Sequence, residues 1–143
     1  MCCFRARNMA KVYGGGEKKT WAVVSGGSSG IGLAVVKRLA TDGLNVVIVA
    51  LGDALLEKSV GELREEFPRI EFRGIGADLS KPPSEYLPDV IKGTADILPR
   101  VVFLNAGECK HAKHRTVYRE KRKIVISALL LSPRFVFPSP QDS

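Results

Sequence analysis

The chain has no stretch of the ~18 consecutive apolar residues that crossing a bilayer as a helix requires. Its longest candidate, Ile124 to Leu131, has Ser127 inside it, so a membrane span is not expected. The basic opening Met1-Cys2-Cys3-Phe4-Arg5-Ala6-Arg7 is not followed by the ~7–15 apolar residues of a secretory leader, so the expected location by default is the cytosol. Cysteine is scarce. Cys2, Cys3 and Cys109 make an odd count with two adjacent, unlike the even, spaced framework of a disulfide-stapled secreted domain. Free thiols are the plain reading. Acylation of Cys2 or Cys3, with association at a membrane surface, has no lipid-anchoring motif beside it. There are only two histidines, and Cys109, His111 and His114 give three potential ligands where a closed zinc site needs four, so no metal is expected. Internal repeats and low-complexity tracts are also missing.

Charge of one sign is not missing, but it is unevenly placed. The formal net charge is +7 over 143 residues. Residues 1–20 carry five basic groups against one acid, and residues 108–143 carry eight against three. Residues 21–107, in contrast, carry nine Lys and Arg against eleven Asp and Glu. The positive balance therefore belongs to an arm and a tail. The run from Lys110 to Lys123 has no base-stacking aromatic set beyond Tyr118, so it reads as solvated charge, and nucleic acid is not the expected partner.

What is present is an alternation of short apolar runs and helical periodicities. Residues 1–19, with Gly14-Gly15-Gly16, read as a flexible basic arm. Trp21 to Ser25 reads as a buried strand that ends in a Gly/Ser cluster. Ile31, Ala34, Val35, Leu39 and Ala40 then recur at helical spacing until Gly43. Asn45 to Ala50 is a second strand. Ala54, Leu55, Lys58, Leu63 and Phe67 mark a helix capped by Asp53 and ended by Pro68. Ile70 to Ile75 reads as a third strand, Ser84 to about Ala95 as a helix capped by Ser84, and Val101 to Leu104 as a fourth strand. Such alternation predicts an α/β fold: a Rossmann-like, doubly wound parallel sheet in three α/β/α layers. Four strands are clear over residues 20–107, so the sheet reads as incomplete, and residues 108–143 read as a divergent basic tail with room for a short helix and strand.

The sharpest feature is Ser25-Gly26-Gly27-Ser28-Ser29-Gly30-Ile31-Gly32, where the first strand meets the first helix. Glycine lets backbone approach a ligand closely, and a helix N-terminus offers free N–H groups to a pyrophosphate. No Gly-Lys-Ser/Thr ending follows, which disfavours phosphoryl transfer. Ala77-Asp78-Leu79 follows the third strand and Leu104-Asn105-Ala106-Gly107 the fourth, so all three segments fall at strand carboxyl ends, where doubly wound sheets bind ligands.

In these motifs the chain resembles the short-chain dehydrogenase/reductase superfamily, whose turn has the form Thr-Gly-x-x-x-Gly-x-Gly, with Ser25 here in place of threonine. Trp21 to Leu51 is similar to the long-chain oxoacyl and hydroxysteroid reductase branch. The resemblance implies that Ser25, Gly26, Ser28, Ser29, Gly30, Ile31 and Gly32 meet the pyrophosphate and ribose of a dinucleotide. It implies likewise that Asp78 and Leu79 meet the adenine, and Asn105, Ala106 and Gly107 the inner ribose. The implied cofactor is NADP or NAD. Ala50 and Leu51 stand where the two are told apart, and the resembled branch leans to NADP. Asp53 lies just beyond, where helix capping is its plainer task.

The implied reaction is hydride transfer between cofactor and a small-molecule carbonyl or alcohol. Family members perform it with a Tyr followed four residues later by Lys. That pair is absent: Tyr13, Tyr86 and Tyr118 are followed at that distance by Glu17, Val90 and Arg122. Ile124 to Ser127 resembles the next strand faintly, after a connection too short for a crossover helix. No catalytic residue is assigned, and a truncated or altered gene product is the simplest expectation. The alternatives are a non-catalytic dinucleotide-binding module and a basic interaction protein on a Rossmann-like scaffold. An oligomer is compatible with all three.

Overall fold

The computed structural model describes residues 19–107 together with Tyr13. Strand β1 (Trp21–Ser25) and strand β2 (Asn45–Ala50) are buried along their whole length. Helix α1 (Gly30–Thr41) connects them. Helix α2 (Ala54–Glu66) leads to β3 (Phe72–Gly76), and helix α3 (Pro83–Thr94) leads to β4 (Pro99–Leu104). The strands form one parallel sheet in the order β3-β2-β1-β4. The expected doubly wound α/β architecture is thus present over the described residues.

Alternation of side chains across the strands builds two cores. Ala22 and Val24 of β1, with Val46, Ile48 and Ala50 of β2, pack under Val36, Leu39 and Ala40 of α1 and Leu56, Val60 and Leu63 of α2. Trp21, Val23, Val47, Val49 and Ile75 face the other way, against Tyr86 and Val90 of α3. Two helices therefore cover one face and one covers the other. This follows from right-handed crossovers: the chain moves outward from β1 to β3, then reverses to reach β4, and reversal puts α3 on the opposite face. The reversal opens a crevice between β1 and β4 at their carboxyl ends.

Local chemistry explains most boundaries. Helix α1 closes with Leu44 N–H donating to the Leu39 carbonyl and Gly43 N–H to the Ala40 carbonyl, both at 3.0 Å, a Schellman ending around Gly43. Asp53 caps α2 as expected, its Oδ1 accepting the Leu56 N–H at 3.0 Å. The third helix differs from expectation: it begins at Pro83, Pro82 is its N-cap, and no side chain caps it, so Ser84 lies inside the first turn. Proline explains the shift, because its fixed φ suits the first helical position and its missing N–H costs nothing there. Pro88 is tolerated further along on an exposed side, while Tyr86, Val90 and Thr94 form the buried stripe. The third strand starts at Phe72 rather than Ile70, and the fourth extends back to Pro99, a first-residue proline followed by a one-residue register shift against β1, Trp21 opposing Pro99 and Ala22 opposing Val101.

The expected arm apart from Tyr13 and Lys19, and the whole expected tail with Cys109, His111, His114, Tyr118 and Ile124 to Ser127, lie outside the described residues. Among the described residues no helix is long and apolar enough to cross a membrane, and no cluster of ligating side chains is found.

Candidate functional site

The Gly/Ser turn between β1 and α1 lies beside the segment that follows β4. Ser25 is buried, and its Oγ accepts the backbone N–H groups of both Asn105 and Ala106 at 3.1 Å. The hydroxyl that stands in for the family threonine therefore ties the carboxyl ends of β1 and β4 together. Asn105 Nδ2 donates in return to the Gly26 carbonyl at 3.4 Å, and Gly26 N–H donates to Val49 of β2 at 2.7 Å. A Cβ on Gly26 would lie 2.9 Å from the Ala106 backbone, so glycine is required there for the two chains to meet. Ser25→Ala removes one acceptor from two N–H groups and is expected to cost about 2 kcal/mol or more. Urea unfolding measures this, and Ser25→Thr, which keeps the oxygen, should restore most of it.

The turn leaves its donors free. Ser29, the N-cap of α1, makes no side-chain capping bond, and no acid stands in the first turn. Leu33 is the first residue of the helix whose N–H reaches back, to the Ser29 carbonyl at 3.1 Å. The N–H groups of Gly30, Ile31 and Gly32 find no acceptor among the described residues. With the helix dipole behind them they form a natural seat for an anion. Ser29, Gly30 and Ile31 are exposed, Ile31 to 77%, whereas Gly32 is buried against the Gly26 carbonyl.

A residue outside the motif supports this turn. Ser59 on α2 is 4% exposed, and its Oγ donates to the Ser28 carbonyl at 2.7 Å. Helical periodicity does not single out Ser59, and nothing local points to its partner 31 residues earlier. Ser59→Ala is expected to cost about 1 kcal/mol of stability and to weaken ligand binding at the turn several-fold, both readable by calorimetry.

Asp78 and Leu79 follow β3 at the same edge of the sheet, on the far side of β2. Asp78 Oδ1 accepts the Ser80 N–H at 3.0 Å and the Ser80 hydroxyl at 2.6 Å, a self-closed turn, while Leu79 packs on the α3-side core. Gly107 is exposed at the mouth of the crevice. The structure thus joins Ser25, Gly26, Gly32, Asn105 and Ala106 in direct contact, leaves Ser28 to Ile31 as the open rim, and holds Asp78 and Leu79 two strands away.

A cavity of about 390 Å³ lies elsewhere, at the amino ends of the strands, lined by Lys19, Trp21, Glu71, Arg73, Asp96 and Arg100 among others. Five of these six side chains are engaged with one another. Arg73 pairs with Asp96 through two bonds of 2.6 and 2.9 Å and lies over the Trp21 ring at 5.1 Å, and Lys19 pairs with Glu71. The hydrogen bond that Arg73 donates to Asp96 holds the Arg73 pKa above its ordinary value. Burial likewise pushes the Tyr86 phenol up, the opposite of what a proton-donating tyrosine at neutral pH needs. Tyr86 is a core residue.

A model of the short chain dehydrogenase family matches residues 20–127. The chain belongs to that family. The match runs past Gly107, where the recognisable motifs end. Among curated relatives, the very-long-chain 3-oxoacyl-CoA reductase of Podospora anserina is 31% identical over 93 residues, 65% of this chain and 27% of that protein. The Macaca fascicularis protein of the same name is 37% identical over 88 residues, 61% of this chain and 27% of that protein. The chain therefore spans about a quarter of the length of these relatives. Among solved structures, L-sorbose reductase from Gluconobacter frateurii, complexed with NADPH and L-sorbose, superposes with a TM-score of 0.65 at 22% identity, covering 79% of this chain and 47% of that one. An actinorhodin polyketide ketoreductase with NADPH gives a TM-score of 0.62 at 25% identity, covering 80% and 47%. The Rossmann-like fold of the family is thereby shown.

Proposed function

We propose that this chain binds NAD(P) in the crevice between β1 and β4 and serves an oxidoreductase that reduces a carbonyl or oxidises an alcohol. The observation that carries the proposal is the open anion seat. Three N–H groups at the start of α1 have no acceptor among the described residues, on a turn held from both sides by Asn105 and Ser59. The residues present suit a dinucleotide. Gly30, Ile31 and Gly32 would hold the pyrophosphate through their backbone, Ser28 and Ser29 would line it, and Asn105, Ala106 and Gly107 would flank the inner ribose. Asp78 and Leu79 would border the adenine. A nicotinamide held there would supply or accept hydride, and the chain's own part is to bind and orient it.

The relatives named as very-long-chain 3-oxoacyl-CoA reductases support a 3-oxoacyl carbonyl as the substrate class, and solved neighbours carrying NADPH support the cofactor. A binding module without chemistry of its own is the second reading, favoured by one fact: none of the three tyrosines has lysine four residues on. The proposal extends to domain organisation and location, with residues 20–107 as the binding unit, basic segments on either side, and residence in the cytosol or at a membrane surface facing it. Titration of the full chain with NADH and NADPH, followed by cofactor fluorescence, tests the central claim. Binding of at least one in the micromolar range is expected, and absence of both below millimolar concentration overturns it. Turnover of a 3-oxoacyl thioester by the chain alone would remove the second reading.

A further inference from the structure

The end of β2 carries an inference that rests on the cofactor site proposed above. In doubly wound sheets an acid about 20 residues beyond the glycine turn accepts from the adenosine ribose 2′-hydroxyl of NAD, whereas a nearby arginine pairs with the 2′-phosphate of NADP. Here β2 ends at buried Ala50, and Leu51, Gly52 and Asp53 follow. Leu51 is 56% exposed and Leu55, the second residue of α2, is 47% exposed, so this rim is apolar. Gly52 is pressed against β3, where a Cβ would stand 3.3 Å from Gly76 Cα. No cation stands among these residues. The nearest lysines along the chain on either side each stand beside an acid, Lys58 with Glu62 at 3.8 Å and Lys37 with Glu66 at 2.7 Å.

The ionic group that does stand there is Asp53. Its Oδ1 is fixed by the Leu56 N–H at 3.0 Å, so the carboxylate is held at the N-terminus of α2 and cannot withdraw without uncapping the helix. At the end of β2, where an adenosine ribose would lie, a fixed negative charge would oppose a phosphate and accept from a hydroxyl.

We infer that the site gains no affinity from the 2′-phosphate: NADH binds at least as tightly as NADPH, and Leu51 and Asp53 are the residues that decide it. The test uses the full chain and reads dissociation constants by cofactor fluorescence, independent of turnover. The wild type is expected to bind NADH between equally and about tenfold more tightly than NADPH. Asp53→Asn keeps a side chain that caps helices as well as aspartate does while deleting the charge. It should tighten NADPH several-fold, more so at low salt, while NADH, which loses a charged acceptor for its 2′-hydroxyl, should not tighten. Leu51→Arg, at an exposed position that tolerates the larger side chain, should tighten NADPH about tenfold or more. NADPH binding more than threefold tighter than NADH in the wild type, or an Asp53→Asn variant that shifts both cofactors equally, overturns this inference while the cofactor site stands. Binding of neither cofactor overturns both.

Discussion

Gly32→Ala should abolish dinucleotide binding and destabilise the domain together. A Cβ on residue 32 would stand 1.9 Å from the Gly26 carbonyl oxygen and 2.7 Å from Asn105 Nδ2, far inside contact distance. Both obstacles are fixed. Gly26 is pinned by its N–H bond to Val49, and Asn105 by its N–H bond to Ser25 Oγ. The methyl group can be accommodated only by moving α1 away from the sheet or by opening the turn. Either movement breaks the Asn105 to Gly26 bond and loosens Val36 and Leu39 in the core. Overpacking of a well-filled site costs about 1–3 kcal/mol, and loss of the buried hydrogen bond adds about 1 kcal/mol or more. A fall of that size in urea-unfolding free energy, with no measurable NADH or NADPH binding, is the expected result. Near-native stability in this variant would mean that the turn is not built as described.

Gly30→Ala, two residues earlier, should separate the two effects. Its φ is +54°, so alanine costs about 1–2 kcal/mol from backbone strain alone. A Cβ there meets no atom within 4 Å, which leaves the packing of the folded chain untouched. The added methyl instead occupies space beside the free N–H groups, where a pyrophosphate would need close backbone approach. Affinity for both cofactors should fall by tenfold or more while the variant still unfolds cooperatively. If Gly30→Ala binds as the wild type does, the ligand does not use this turn. The two variants together distinguish a glycine kept for the fold from one kept for the ligand.

Both glycines were legible in the sequence as members of one motif, but their different tasks were not. Motif spacing locates a turn between an apolar run and a helical periodicity. It says nothing of which glycine faces Gly26 and which faces solvent, because that depends on how α1 leans on β1. The same limit explains Ser59. Its hydroxyl matters only because α2 packs beside α1, which brings it to a carbonyl 31 residues away. Asp53 was readable as a helix cap from its own neighbours, since capping is decided within four residues. Ser84 was misread for an equally local reason, as Pro82 and Pro83 set the start of α3 before a serine cap could.

By itself the sequence determined the strand and helix order, the parallel α/β class and the glycine turn, because each depends on periodicity or spacing within about a dozen residues. It also determined that the positive charge lies outside residues 21–107. The tertiary structure alone decided that Ser25, Gly26, Gly32, Asn105 and Ala106 form one knot. It alone decided that the Ser59 hydroxyl of α2 reaches the Ser28 carbonyl of the turn. These are contacts between segments from about six to about eighty residues apart, and only the reversal of the sheet between β1 and β4 and the packing of α2 against the turn bring them together.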